Sequence, residues 1–166
     1  RGNYFMSIEK VREYLKKYGK EHNILEFSES SATVELAAKA AGVIPARIVK
    51  TLSFKSENGC ILICAAGDTK IDNKKFKDYF SIKAKMLTPE EVVEFTGHAI
   101  GGVCPFGIDN PLVQVFCDES IRRFETVFPA AGSSNSAVEL SPEELYQISR
   151  STSWIDVCKI KEESIV

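Results

Sequence analysis

The sequence contains few of the residues that build metal sites and disulfide frameworks. Only two histidines, His22 and His98, occur in 166 residues, so a histidine-rich metal site is not expected. The five cysteines are an odd number, lie scattered and form no Cys-x-x-Cys pair. This pattern argues against both a disulfide framework and a zinc site. We therefore expect no metal and no cofactor, and a reducing cytoplasm as the location.

The sequence also lacks a strong charge imbalance and a long apolar run. Lysines and arginines number 21 against 23 acids, for a net charge of −2, which excludes a general polyanion binder. Any contact with nucleic acid must then use a local basic patch. No apolar run reaches membrane-spanning length and no signal peptide precedes the first helical pattern, so no membrane is expected among the partners. A composition of 44% hydrophobic and 27% charged residues is that of an ordinary soluble protein with one sizeable core.

Apolar periodicity and turn residues predict a single α+β domain with a mixed or antiparallel sheet. Residues 1–5, ahead of Met6, are typical of a leftover expression tag, so the domain is expected at 6–166. Helices are predicted at 8–18, 33–41 and 73–80, and after two capping boxes at 88–91 and 141–144. Strands are predicted at 24–27, 48–55, 60–66, 112–117, 126–128, 137–140 and 154–158, with a turn at 67–72. Cys60 and Cys64 are expected on one face of their strand.

The segment 99–107, Ala-Ile-Gly-Gly-Val-Cys-Pro-Phe-Gly, holds three glycines and one proline but no acid or base. Paired glycines allow a close approach of the backbone to a ligand and expose N–H groups that can bind an oxygen. An ordinary turn has similar residues, so the segment alone indicates little. It matches neither a phosphate-binding P-loop nor a dinucleotide-binding fingerprint.

Two titratable residues accompany this glycine loop. Lys50 interrupts an apolar strand, where a lysine usually faces solvent at a sheet edge; the alternative is a cation that binds a carbonyl or phosphate in a pocket. His98 directly precedes the loop, and is either a partner of a helix C-terminus or a group that titrates near neutral pH in the site.

Two polar segments have a structural and a functional interpretation. The run 132–136, Gly-Ser-Ser-Asn-Ser, is either a solvated loop or part of a pocket rim. The cluster Lys70, Lys74, Lys75 and Lys77 is either a solvated helix face or a phosphate-binding patch. No Gly-x-Ser-x-Gly motif and no local Cys–His signature indicates a side-chain nucleophile.

Three segments together resemble the YbaK/ProX family of aminoacyl-tRNA deacylases, whose domain is also inserted in bacterial-type prolyl-tRNA synthetases. They are 49–54 (Val-Lys-Thr-Leu-Ser-Phe), 67–72 (Gly-Asp-Thr-Lys-Ile-Asp) and 101–107 with its Gly-x-x-x-Pro element. The resemblance covers Met6 to Cys158. It implies a single YbaK-like domain with a mixed, largely antiparallel sheet wrapped by helices. It also implies hydrolysis of mischarged tRNA in trans, a translation-fidelity function, with the acceptor end of proline tRNA and prolyl-tRNA synthetase as partners.

The resemblance assigns roles to individual residues. Lys50, Gly101 and Gly102 would be catalytic, the glycines through backbone N–H groups at the substrate carbonyl. The residues expected to bind substrate are Thr51, His98, Val103, Pro105, Phe106, Ser133, Ser134 and Asn135. Phe106 would bound the amino-acid pocket, with the two serines and the asparagine near its rim. An aminoacyl ester is already activated, so water, a positioned carbonyl and oxyanion stabilisation suffice, and no cysteine is required.

The segment 132–138 departs from family members that carry an arginine- and glycine-rich stretch with an aspartate there, which leaves the removed amino acid open among small esters such as cysteinyl, alanyl, seryl and threonyl. Two other functions remain open. One is a non-catalytic module that holds a tRNA end or a synthetase. The other is a small-molecule hydrolase or ligand binder unrelated to tRNA, which the near-neutral charge favours. The presence of both Lys50 and the Gly-x-x-x-Pro element favours the editing enzyme.

Overall fold

The computed structural model of the chain describes residues 2–162, with side chains from residue 7 onward. The helices in this part are α1 Gly2–Lys16, α2 Val34–Ala41, α3 Asn73–Phe80, α4 Pro89–Thr96 and α5 Pro142–Ile148. The strands are β1 Ile24–Glu26, β2 Ile48–Lys55, β3 Cys60–Ala66, β4 Thr69–Ile71, β5 Val113–Asp118, β6 Phe128–Pro129, β7 Ser136–Val138, β8 Trp154–Ile155 and β9 Cys158–Ile160. The predicted α+β class is confirmed.

The strands form one five-stranded sheet and two small ribbons. The central sheet has the order β6-β2-β3-β5-β8, and β1–β7 and β4–β9 are separate antiparallel pairs. Within the central sheet β2–β3 is antiparallel, whereas the three other pairings are parallel. The sheet is therefore mixed as expected, but parallel pairing is more frequent than the resemblance implied. The reason is a long crossover through α3 and α4, which returns the chain to lie parallel beside β3.

Strand β3 lies at the centre of the sheet and is buried on both faces. All of its residues are buried, as expected for a continuous apolar strand with neighbours on either side. Cys60 and Cys64 lie on the same face, as predicted, and contribute to one core cluster, while Ile61 and Ile63 contribute to another. All five cysteines are buried and free.

Helices cover both faces of the central sheet. Val11 of α1, Val92 of α4 and Leu145 of α5 pack on the face of Cys60 and Cys64. Phe76 of α3 packs on the opposite face. Helix α2 packs near the β6 side of the sheet, where its alanines contact residues of β2, β6 and β7. This third cluster places the N-terminus of α2 beside the edge of β2.

Local signals located the helices better than the shortest strands. Both predicted capping boxes are present, at Thr88 and Ser141. The segment predicted as a turn at 67–72 contains strand β4, and the predicted strand at 154–158 is divided into β8 and β9. These strands pair with distant partners, which local sequence does not indicate. Helix α1 begins at Gly2 and so includes residues that the sequence suggested were a tag.

Candidate functional site

The candidate site lies at a gap in the edge of β2. Strand β6 pairs with only the first two residues of β2, Ile48 and Val49. Pairing on this side of β2 resumes at Phe54, through an antiparallel bridge with Met86. Among the described residues, no strand pairs with 50–52 on this side. The gap leaves strand backbone accessible at a sheet edge.

Backbone groups of Thr51 face this gap. The carbonyl oxygen of Ser53 accepts a hydrogen bond from Leu87 N–H on the same side, and Lys55 N–H donates to Lys85 there. Successive residues of a strand direct their N–H and C=O groups to alternate sides. The N–H and C=O of Thr51, two residues before Ser53, therefore point into the gap.

A pocket of about 250 Å³ occupies this gap. It brings together four of the residues predicted from the sequence: Lys50, Thr51, Gly101 and Val103. The lysine-bearing strand and the glycine loop, distant in sequence, therefore form opposite parts of one site. Further walls come from α2, β6 and β7, with the side chains Ala32, Ala37, Phe128, Ala130, Ser136 and Ala137.

Lys50 is the charged side chain of this pocket. Its side chain is half-buried, and its ammonium group donates a hydrogen bond to the backbone carbonyl oxygen of Thr69 in β4. Burial lowers the pKa of Lys50, and the nearby positive charge of Lys161 lowers it further. No carboxylate belongs to the described lining of the pocket. The cation is therefore available to an electronegative atom of a ligand.

The glycine loop presents backbone to the pocket, but not through the pair of N–H groups that the sequence suggested. Gly101 has φ +97°, a conformation that side chains disfavour, and it lines the pocket. The N–H of Gly102 donates to the carbonyl oxygen of Ala99 at 3.0 Å within the loop, so it is already used. The N–H groups of Gly101 and Val103 have no acceptor among the described residues. These two N–H groups are therefore free within the loop, and Thr51 N–H, which points into the gap, is a further donor in the pocket lining.

Gly102 and residues 132–135 lie on the other side of the loop, whereas Ser136 lines the Lys50 pocket. Gly102, Ser133, Ser134 and Asn135 line a separate groove of about 700 Å³, so the expectation that they line the Lys50 pocket is not met. Asn135 Nδ2 donates to the carbonyl oxygen of Phe27 at 3.0 Å, and Ser133 Oγ donates to Asn135 Oδ1 at 2.9 Å. These side chains hold the segment to the chain that follows β1.

The structure places three further predicted residues outside the pocket. Phe106 is fully buried and packs near Tyr14, so it does not bound the amino-acid pocket. His98 is also buried, with Nδ1 bonded to the hydroxyl of Ser7 and Nε2 at 2.8 Å from the carbonyl oxygen of Phe106. Pro105 lines a different cleft, together with Tyr14. An apolar residue beside a glycine turn can pack in the core or line a pocket, so the sequence alone could not decide between these two positions for Phe106 and Pro105.

Burial keeps His98 and its neighbour Cys104 uncharged. Burial is the main cause that lowers the pKa of His98, and it raises the pKa of the Cys104 thiol to about 12. Cys104 Sγ lies 3.5 Å from His98 Nε2, a proximity that no local sequence signature indicated. Because Nε2 also faces a carbonyl oxygen, its hydrogen is directed there, and the pair does not form a reactive thiolate. The described residues contain no group of three metal-binding side chains.

Several pocket residues were missed by the sequence analysis. Met86 lies at the edge of β2 with 56% of its surface exposed, and Ser31 to Val34 enter from the start of α2. The α2 start carries one usable signal, the N-cap Thr33, whose side chain accepts from Leu36 N–H. That signal predicts where the helix begins, but it does not predict that the helix lies beside β2.

The helices within residues 2–162 include none with the length and hydropathy of a membrane span.

The profile of the aminoacyl-tRNA editing domain matches residues 28–148, which include β2, the glycine loop and the α2 start. A relative in Bacillus subtilis (strain 168), the uncharacterized protein YwhH, is 55% identical over 93% of this chain and 98% of its own length. A proline–tRNA ligase of Thermotoga sp. (strain RQ2) is 32% identical over 54% of this chain, which spans only 15% of that enzyme.

A solved structure, described as that of a candidate trans-editing enzyme for prolyl-tRNA synthetase, superposes with a TM-score of 0.83 at 31% identity, covering 92% of this chain and 97% of that one. A second, the hypothetical protein APE2540, superposes with a TM-score of 0.80 at 28% identity, covering 90% and 99%. Sequence profile, relatives and fold agree with the resemblance found in the sequence, and the chain belongs to the aminoacyl-tRNA editing domain family.

Proposed function

We propose that the protein is an aminoacyl-tRNA deacylase that acts in trans on mischarged tRNA. The observation that carries this proposal is the arrangement of the β2 gap, with the Lys50 ammonium on one side and the N–H groups of Gly101 and Val103 on the other. A cation and two free backbone N–H groups in the lining of one small pocket suit an ester carbonyl. Membership of the editing-domain family supports the same reaction.

The reaction needs no covalent intermediate on the protein. Water adds to the ester carbonyl carbon, and the oxygen becomes an oxyanion that the loop N–H groups stabilise. The bond from that carbon to the ribose oxygen then breaks, and the ribose oxygen leaves with a proton that the attacking water has given up. The products are a free amino acid and an uncharged tRNA. Lys50 holds the carbonyl or ribose end of the ester by its charge, and the neighbouring ribose hydroxyl orients the water.

The walls of the pocket favour a small amino acid. Alanine side chains at 32, 37, 130 and 137 leave a volume of about 250 Å³, and no carboxylate is present in the described lining to pair a cationic side chain. Alanyl, seryl and cysteinyl esters suit these alanine walls, whereas a cationic side chain would be buried there without a carboxylate to pair with it. An apolar pocket separates substrates that differ by one methylene by only about 10–200-fold, so overlap among small esters is expected.

The relatives support proline tRNA as the carrier. Part of this chain is similar to proline–tRNA ligases, and the similar fold was described as a candidate trans-editing enzyme for prolyl-tRNA synthetase. We therefore assign proline tRNA as the substrate nucleic acid and prolyl-tRNA synthetase as a partner. This function places the protein in the cytoplasm, where tRNA is charged.

A deacylation panel tests the proposal. Proline tRNA carrying alanine, serine, cysteine or proline is incubated with the protein, and the loss of labelled ester is followed in single turnovers. We expect rapid loss of at least one small non-proline ester and retention of the proline ester. Retention of every non-proline ester, with tRNA still bound, would favour the non-catalytic module. Rapid loss of correctly attached proline would contradict an editing function.

A further inference from the structure

The β4–β9 ribbon has two lysines directly opposite each other on its outer face. Lys70 of β4 is in register with Lys159 of β9, and both are exposed. Their neighbours Ile71 and Cys158 pack inward against the core that contains Phe76. Like charges at directly opposed positions of an antiparallel pair destabilise it. Because both lysines are exposed, solvent and salt screen this repulsion, and an anion bound between them would remove it.

The nearby carboxylates already have other partners. Asp68 pairs with Arg123 at 2.6 Å, Asp156 with Lys75 at 3.0 Å, and Asp78 with Lys74 at 2.9 Å. A further acid, Asp72, caps α3 by accepting from two helix N–H groups, and its pKa is lowered mainly by the N–H of Lys75 and also by the charge of Lys159.

Neither Lys70 nor Lys159 has a carboxylate within ion-pair distance in the described chain. Of the basic cluster suggested by the sequence, the structure thus pairs Lys74 and Lys75 with acids. Within the described residues, Lys70 and Lys77 have no ion-pair partner, and the ribbon adds Lys159, which is distant in sequence.

The ribbon adjoins the candidate pocket. The Lys50 ammonium donates to the carbonyl oxygen of Thr69, the residue before Lys70. Directly after β9, Lys161 N–H donates to the carbonyl oxygen of Asp68, the residue before β4. The positive charge of Lys161 is close enough to lower the pKa of Lys50. A polyanion that enters the pocket from the side of β4 would pass next to this ribbon.

We propose that the outer face of the β4–β9 ribbon, with Lys70 and Lys159, binds the phosphate backbone of the tRNA acceptor stem while the ester lies in the pocket. The proposal rests on the deacylase function. A polyphosphate supplies several negative charges close together, which matches two lysines without an ion-pair partner in the described chain better than a single carboxylate does. Phosphate contacts of this kind position the nucleic acid without reading its sequence. They are also compatible with a near-neutral chain, because a single local patch suffices.

The test compares two double variants with equal loss of charge. The ribbon variant is Lys70→Gln with Lys159→Gln. The control is Lys16→Gln with Lys17→Gln, the last residue of α1 and the residue after it; α1 packs on the opposite face of the sheet. Lys161 is left unchanged because loss of its charge would alter the pKa of Lys50. Binding of uncharged proline tRNA is measured by fluorescence anisotropy over a range of salt concentrations, and deacylation of alanyl-charged tRNA is measured separately.

We expect the ribbon variant to bind tRNA roughly tenfold more weakly at low salt, with the slope of log affinity against log salt smaller by about one to two. Its KM should rise while kcat at saturating tRNA stays within about twofold, and the control should match the wild type. Equal affinity and equal salt slope for the ribbon variant and the control would overturn the proposal. An inactive wild type that still binds tRNA through the ribbon would instead contradict the deacylase function alone.

Discussion

Gly102 lies against the backbone of Ser133 so closely that a Cβ at this position would be 2.8 Å from the N, Cα and C atoms of Ser133. The absence of a side chain therefore sets the distance between the glycine loop and the segment that leads into β7. Because Gly102 N–H is used inside the loop, the importance of this residue is steric. Its neighbour Gly101 has the complementary role and presents backbone to the pocket.

We predict that Gly102→Ala destabilises the fold and displaces the loop. The clash is with backbone atoms, which cannot rotate away, so a cost of about 1–3 kcal/mol in the free energy of unfolding is expected. Urea denaturation measures it. Ser134→Ala is the control, since it changes an exposed side chain in the same groove without adding volume. A Gly102→Ala protein as stable and as active as the wild type would show that the close approach is unimportant.

Gly101→Ala is predicted to reduce deacylation more than its loss of stability explains. Both Gly101 and Gly97 have positive φ, at +97° and +77°, so alanine at either position costs about 1–2 kcal/mol of backbone strain. Only Gly101 borders the pocket, and its new Cβ would meet Ala32 at 3.3 Å. The single-turnover deacylation rates of folded Gly101→Ala and Gly97→Ala are compared, and we expect the lower rate for Gly101→Ala. Equal rates for the two variants would show that the glycine loop is only a turn with no function in catalysis.

No cysteine should be needed for turnover. Cys104 is fully buried and burial raises the pKa of its thiol to about 12, so it is neutral at physiological pH. Cys104→Ala should keep the deacylation rate within about twofold, with a stability loss of about 1 kcal/mol from the small cavity. A thiol reagent added to the native protein should label none of the five buried cysteines. Loss of turnover in a folded Cys104→Ala protein would indicate a covalent thiol mechanism.

His98 should make stability depend on pH. Burial lowers its pKa below the ordinary value of 6.5, so the unfolded chain binds a proton more readily than the folded one. The contribution is complete above pH 6.5 and is lost as pH falls below it, with a slope of at most about 1.4 kcal/mol per pH unit. Unfolding free energies from pH 7.5 to 5 measure this slope.

His98→Gln should flatten the dependence on pH, whereas His22→Gln, at an exposed position, should leave it unchanged. A wild-type curve that is flat across this range, or one that His98→Gln does not alter, would refute the assignment.

The sequence predicted the elements that carry strong local signals. The capping boxes at Thr88 and Ser141 fixed two helices, and the apolar run of β3 fixed the central strand. Strands β4 and β9 are short, and their existence depends on pairing between residues far apart in the chain. The parallel placement of β5 likewise depends on a crossover that periodicity does not reveal.

The candidate site was only partly predictable for a related reason. Two residues differ from their sequence neighbours: Lys50 is a charge in an apolar strand, and Gly101 is a glycine in a turn. The structure brings both into one pocket. His98 precedes the same loop and Phe106 lies within it, but both turn into the core, because burial depends on the packing of α1 against the loop. Met86 carries no chemical signal, and the N-cap Thr33 at the α2 start indicates only a helix, so both enter the site through the fold.

The most direct test of the account is the single-turnover deacylation rate of Lys50→Ala with alanyl-charged proline tRNA, compared with Lys55→Ala. Both lysines lie on β2, but Lys55 pairs with Glu91 at 3.5 Å outside the pocket. Loss of one charge-stabilising group should lower the rate about 10²–10³-fold for Lys50→Ala, while Lys55→Ala stays near the wild type. A folded Lys50→Ala protein with a near-normal rate would contradict the assignment of the β2 gap as the catalytic site.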